Sequence, residues 1–115
     1  MTIRFEVRRI IVFTANMEVM AEFYGRALGL ALRHSEEGWR DYDAGACRIA
    51  LHQGPSTPGK RPPKLVFYAK DVSAARAALM RRGVKTLGKV KSTGTFDMCD
   101  GTDPDGNRIQ ISSRE

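Results

Sequence analysis

The sequence predicts an α+β fold made of two copies of one βαβββ module, and three observations carry that prediction. Two β-rich runs, Arg9-Ile10-Ile11-Val12-Phe13 and Lys64-Leu65-Val66-Phe67-Tyr68, are each followed by a helix-capping residue and a helical pattern. Arg9 matches Lys64 and Asn16 matches Asp71 at the same offset of 55 residues. Later in each half, Gly45…Arg48-Ile49 is echoed by Gly106…Arg108-Ile109.

Each element follows from its residues. The β-branched and aromatic run at 7–14 predicts a strand. Asn16 suits the N-cap, because its side-chain oxygen can accept an orphan amide. The helix carries Met20, Phe23, Tyr24, Ala27 and Leu28 at helical spacing, and Gly29 fits a left-handed stop. Strands at 30–35, 38–44 and 46–53 follow, separated by turns at Glu37-Gly38 and Gly45. Residues 54–63, GPSTPGKRPP, read as a linker between modules of a single domain spanning 1–115, with module one at about 7–53 and module two at about 64–113. In the second half a strand at 64–70 leads to Asp71, which caps a helix with Val72, Ala75, Ala78 and Leu79 on one face. Gly83 ends that helix, and strands at 84–91, 94–99 and 107–113 complete the repeat.

Composition narrows the function. At 115 residues, 42% hydrophobic and 28% charged, the chain suits one soluble domain with an adequate core, and it has no apolar run long enough to span a bilayer. No secretion signal is visible in MTIRFEVRR, and Cys47 and Cys99 suit buried thiols of a reducing, cytoplasmic setting better than a disulfide framework. The formal charge of +6 makes an acidic partner plausible. The basic residues are scattered, however, and no zinc-finger, helix-turn-helix or aromatic-interleaved basic stripe appears, so neither nucleic acid nor membrane is expected as a partner.

Strand alternation sorts the side chains onto two faces. Ile10, Val12, Ile49, Leu51, Leu65, Phe67, Ile109 and Ile111 form an apolar face expected under the helices. Arg9, Ile11, Phe13, Arg48, Ala50, His52, Lys64, Val66, Tyr68, Arg108, Gln110 and Ser112 form the other. That half-apolar, half-polar face is what a small-molecule pocket presents; a face simply left to solvent is the simpler alternative.

The repeated βαβββ plan, FYGRALGL at 23–30 and DPDGN at 103–107 together resemble the vicinal oxygen chelate superfamily, which joins glyoxalase I, extradiol dioxygenases, fosfomycin-resistance transferases and bleomycin-binding proteins. The resemblance runs from about Arg8 to Ser112. It implies a cupped mixed sheet with helices on the convex face, and usually a homodimer. In metal-using members, ligands come from four positions, which here hold Arg9, Ala50, Lys64 and Gln110. Arginine and lysine offer no lone pair and alanine has no donor, which leaves only the Gln110 amide oxygen. A cation about 4 Å from a divalent ion costs roughly 8 kcal/mol at an effective dielectric near 20. The resemblance therefore implies a member with no metal and no other cofactor. His52, His34, Asp41, Asp43, Asp97 and Cys99 fall at no recognised ligand spacing.

Arg9 and Lys64 are then expected to share the cavity. Either they are paired internally, with Asp41, Asp43 or Asp97, or they hold an anion such as a carboxylate or phosphate. Phe13, Tyr68, Trp39 and Phe96 are candidate apolar walls. The ligand-binding set is Arg9, Phe13, His52, Lys64, Tyr68 and Gln110. Three function classes stay open: a metal-free binder of a small molecule; a metal-independent lyase, isomerase or transferase using His52, Asp97, Tyr68 or Cys99; and a non-catalytic structural or interaction module. Bleomycin-type binders hold cationic drugs in an acidic cleft, which the basic face expected here does not match.

Overall fold

A computed structural model describes residues 3–115. The chain is α+β and divides into two compact units, the first ending at Ser56 and the second running from Thr57 to Glu115. Each unit holds a four-stranded mixed sheet and one helical segment.

In the first unit the strands are β1 (Arg9–Thr14), β2 (Ala31–Glu36), β3 (Trp39–Asp43) and β4 (Arg48–Gln53). They lie in the order β1-β4-β3-β2, with β1 and β4 parallel and the other neighbours antiparallel. Val12, Ile49 and Leu51 are buried together with Met20, Phe23 and Tyr24 of the helical segment, which packs on β4. Ile10 shares their alternation but is partly exposed.

That helical segment departs from the expected regular helix. It opens as α1 (Met17–Ala21) and continues as a π-helix over Glu22–Ala27. Leu28 N–H donates to the Phe23 carbonyl at 2.9 Å, one residue wider than an α-helical bond, and Leu30 N–H closes the end on the Tyr24 carbonyl at 3.1 Å, two residues wider. Periods of 3.6 and 4.4 residues both bring Met20, Phe23, Tyr24 and Ala27 to one side, so the apolar pattern does not tell the two helices apart. Gly29 takes the left-handed stop at φ 73°. Asn16 holds the N-cap position, but its side chain makes no capping hydrogen bond. Its backbone N–H instead donates to Thr14 Oγ1 at 2.9 Å.

In the second unit β5 (Leu65–Tyr68), β6 (Lys91–Ser92), β7 (Asp97–Thr102) and β8 (Arg108–Ser112) lie in the order β5-β8-β7-β6. The helix α2 (Val72–Arg81) packs on β7 and β8 and is capped by the Asp71 carboxylate, which accepts from Ala74 N–H at 2.9 Å. The expected strand at 84–91 is reduced to Lys91–Ser92. Residues 84–90 bury Val84 and Leu87 and follow β7 through isolated bonds. Thr86 Oγ1 donates to the Thr102 carbonyl at 2.6 Å, and Gly88 N–H to the Asp100 carbonyl at 2.8 Å. The approach is close at Gly101, where an added Cβ would lie 2.9 Å from Leu87 Cδ2 and 3.0 Å from the Thr86 carbonyl oxygen. The expected strand at 94–99 starts three residues late, at Asp97, because Gly94 (φ 94°) turns the chain and Thr93 bonds Phe96 across that turn. Cys47 and Cys99 are free thiols; Cys99 is buried as expected, while Cys47 is only half-buried.

The DPDGN segment closes on its first residue. The buried Asp103 carboxylate accepts from Asp105 N–H at 3.0 Å, Asn107 N–H at 2.9 Å and Asn107 Nδ2 at 2.8 Å. Among the described residues, no helix is long and apolar enough to cross a membrane. Asp103→Ala removes the acceptor of all three bonds and is expected to lower the unfolding free energy by roughly 2 kcal/mol, read from urea denaturation.

Candidate functional site

In the first unit, the sheet face away from the helix gathers around Asp41. Asp41 sits mid-strand in β3, opposite Ala50 of β4, which in turn lies opposite Ile11 of β1. The residue is 3% exposed. Its Oδ2 accepts from Arg9 Nε at 3.2 Å, Arg9 Nη2 at 3.0 Å and Arg48 Nη1 at 3.3 Å. Its Oδ1 is buried and has no hydrogen-bond partner among the described residues. One carboxylate thus answers two guanidinium groups, whose side chains keep 35% and 40% of their surface exposed. The neighbouring Arg33–Asp43 pair, at 3.0 Å, is neutral and leaves the local surplus of one positive charge unchanged. The Gly45 backbone N–H, followed by Arg33, holds the Asp43 carboxyl below the usual carboxylate value.

Beside this charge cluster stands an aromatic group. The Arg9 guanidinium lies 5.8 Å from the centre of the Trp39 ring. His52 meets Trp39 edge-on at 5.6 Å and Phe13 edge-on at 5.4 Å. Phe13 and Ile11 are about half exposed, so the apolar part of the face is open in this chain.

In the second unit the corresponding face centres on Asp100. Its Oδ1 accepts from Lys64 Nζ at 2.9 Å and from Gln110 Nε2 at 3.0 Å, and the same Gln110 nitrogen lies 3.4 Å from Met98 Sδ. The bonded Lys64 ammonium holds the Asp100 carboxyl below its usual value; burial pushes the other way and Gln110 reinforces the lowering. Val66 and Tyr68 are about half exposed on this face. Cys99, opposite Ile111, points to the helix side, where burial raises its thiol pKa.

A profile of the "Glyoxalase/Bleomycin resistance protein/Dioxygenase superfamily" matches residues 6–111. The chain belongs to that superfamily. No curated protein matches it. Among solved structures, a glyoxalase/bleomycin resistance protein/dioxygenase from Nocardioides is similar at 16% identity and a TM-score of 0.80, over 97% of this chain and 85% of the other. A lactoylglutathione lyase from Agrobacterium tumefaciens is similar at 14% identity and a TM-score of 0.74, over 92% and 91%. An integron cassette protein from the mobile metagenome of V. cholerae is similar at 22% identity and a TM-score of 0.71, over 97% of each chain. Likenesses at these identities speak to fold.

Within this superfamily member, Arg9, Phe13 and His52 come together in the first unit, and Lys64, Tyr68 and Gln110 lie on one face of the second. Arg9 is paired internally with Asp41, one of the carboxylates expected for it. Lys64 is paired with Asp100 rather than with Asp41, Asp43 or Asp97, because β7 runs on to Thr102 and carries Asp100 into the sheet. Trp39, a candidate wall, and Arg48, placed on this face by alternation, were left out of the expected ligand-binding set but belong to the first-unit cluster as fully as its members do. Their alternation with Ala50 and Asp41 was the signal that could have ranked them. Phe96 lies under Arg114, with the guanidinium 5.2 Å from its ring centre. Among the described residues, no three His, Cys, Asp or Glu side chains converge as a metal site would require.

A carboxyl with a depressed folded-state pKa stabilises the fold at pH values above its unfolded pKa. That contribution is lost as pH falls through the folded value. Asp100 is therefore expected to titrate below the ordinary carboxylate value in the native chain. In Lys64→Ala its pKa should move up toward that value, measured by carboxyl-detected NMR titration; an unmoved Asp100 would break the assignment.

Proposed function

We propose that this superfamily member binds a small anionic molecule on the Asp41 face of its first unit, without the divalent ion that metal-using relatives hold. The observation that carries the proposal is the shared Asp41 oxygen. Arg9 and Arg48 both spend part of their hydrogen-bonding capacity on it, which leaves one net positive charge and partly exposed guanidinium edges suited to a carboxylate or phosphate. Phe13, Trp39 and His52 offer an apolar wall for the rest of the ligand. In the second unit Lys64 is paired with Asp100, and the anion is assigned to the first, where two guanidiniums converge on one carboxylate beside an aromatic wall.

In neither unit do the residues at the positions the resemblance assigns to metal ligands fit a divalent ion. Arg9 and Lys64 carry positive charge, Ala50 has no donor atom, and Gln110 turns its amide nitrogen toward Asp100. Binding is preferred to acid–base catalysis because the candidate groups form no set: His52 is held between two rings and Cys99 lies buried on the helix side. The open Ile11 and Phe13 favour an occupied face over a purely structural module. We further propose that the protein works as a homodimer, and in the cytoplasm, where its two free thiols would stay reduced.

Trp39 is the sole tryptophan and stands in the proposed site, so its fluorescence reports occupancy. Titration with benzoate, an aromatic carboxylate, is expected to give a saturable change. In Arg48→Ala the affinity should fall about tenfold or more, the size of a lost charged hydrogen bond; equal affinity in both proteins would reject the site. Dialysis against a chelator should leave benzoate binding unchanged. Binding that vanishes on chelation and returns with zinc or manganese would reject the metal-free reading.

A further inference from the structure

The segment before β1 alternates without a partner. Ile3, Phe5 and Val7 are 72%, 92% and 70% exposed, while Arg4, Glu6 and Arg8 take the positions between them. Period-two alternation is the pattern of a strand with one apolar face. Yet residues 3–8 join no strand of the sheet they lead into, apart from the Arg8 carbonyl, which accepts from Arg48 N–H at 2.9 Å. Such a large exposed apolar surface on an unpaired strand-like segment marks an association site.

We infer that residues 3–7 form an intermolecular strand, pairing antiparallel with the same residues of a second copy so that Phe5 faces Phe5. The inference rests on the homodimer proposed above and assigns its contact. Charge decides the register. Centred on Phe5, the pairing sets Ile3 opposite Val7 twice on one face, with Phe5 against Phe5 between them. On the other face it sets Arg4 opposite Glu6 twice. Centred on Arg4 or on Glu6, the pairing puts a charge opposite its own copy. Centred between residues 5 and 6, it puts apolar side chains opposite charged ones. Within one chain Glu6 already meets Arg8 at 3.0 Å, but both side chains are 75% exposed, so that pair is weak and leaves Glu6 free to take a second cation. The arrangement is self-complementary about a two-fold axis and closes at two copies.

Sedimentation equilibrium of the full chain tests this, with circular dichroism confirming that each variant is folded. The wild-type chain is expected to be dimeric. Phe5→Glu and Arg4→Glu should each raise the dimer dissociation constant by about tenfold or more, and Arg4→Glu/Glu6→Arg should recover most of the loss. A wild-type dimer that neither single substitution weakens would overturn the arm contact while leaving the homodimer intact. Weakening by Arg4→Glu without recovery in the double variant would overturn the register. A monomeric wild-type chain would overturn both the contact and the homodimer.

Discussion

A carboxylate that is 3% exposed in the middle of a sheet sets the terms for the first unit. Taking Asp41 out of water costs several kcal/mol, and one cation about 4 Å away returns on the order of 4 kcal/mol at an effective dielectric near 20. A single partner therefore roughly balances the loss, and the second guanidinium tips it. Arg9 stands on β1, Arg48 on β4 and Asp41 on β3, so the cluster crosses three adjacent strands on the face opposite the helix. The repulsion between the two guanidiniums is tolerable because each keeps more than a third of its side chain in water. Those exposed edges are what a ligand would meet.

The second unit solves the same problem with different chemistry. Asp100 lies opposite Gln110 as Asp41 lies opposite Ala50, and Lys64 stands where the repeat places Arg9. In each unit one carboxylate oxygen, Asp41 Oδ2 or Asp100 Oδ1, collects donors from two residues. In the first unit Ala50 offers nothing, and Arg48 reaches in from the same strand; in the second the Gln110 amide serves, and no second cation is needed. In the first unit two cations share one carboxylate oxygen; in the second, one cation and one amide share it.

Much of the fold was legible from period and punctuation. Alternation placed Val12, Ile49, Leu51, Ile109 and Ile111 on the buried face, and Asp71 and Gly29 marked helix ends by chemistry that operates locally. What was not legible depends on contacts remote in sequence. The segment at 84–90 has strand-like composition, but it approaches β7 where Gly101 lets Leu87 close in, and its bonds run through the Thr86 hydroxyl instead of a ladder. The π-helical turns leave the apolar pattern intact and so give no sequence signal. Of the site, Arg9, Phe13 and His52 were readable from alternation alone. The partner of Lys64 was not, since an expected strand ending at residue 99 leaves Asp100 outside the sheet.

The residues that reveal the family are not those that would choose a ligand. In DPDGN, Asp103 spends its carboxylate on the amides of its own turn. In FYGRALGL, Phe23 and Tyr24 are buried, with their rings edge-on at 5.0 Å, and Gly29 releases the chain toward β2. Both motifs are consumed by folding, so they specify the sheet and leave its open face uncommitted. That face is written by Arg9, Trp39, Asp41, Arg48 and His52, none of which those motifs contain. On the proposed reading, the chain keeps the turn and core chemistry of this superfamily while guanidinium, methyl and ammonium groups stand at positions where the resemblance implies metal donors. On that reading the same exchange would turn a face suited to gripping a cation into one suited to attracting an anion, and the chain's net charge of +6 would act in the same direction at longer range.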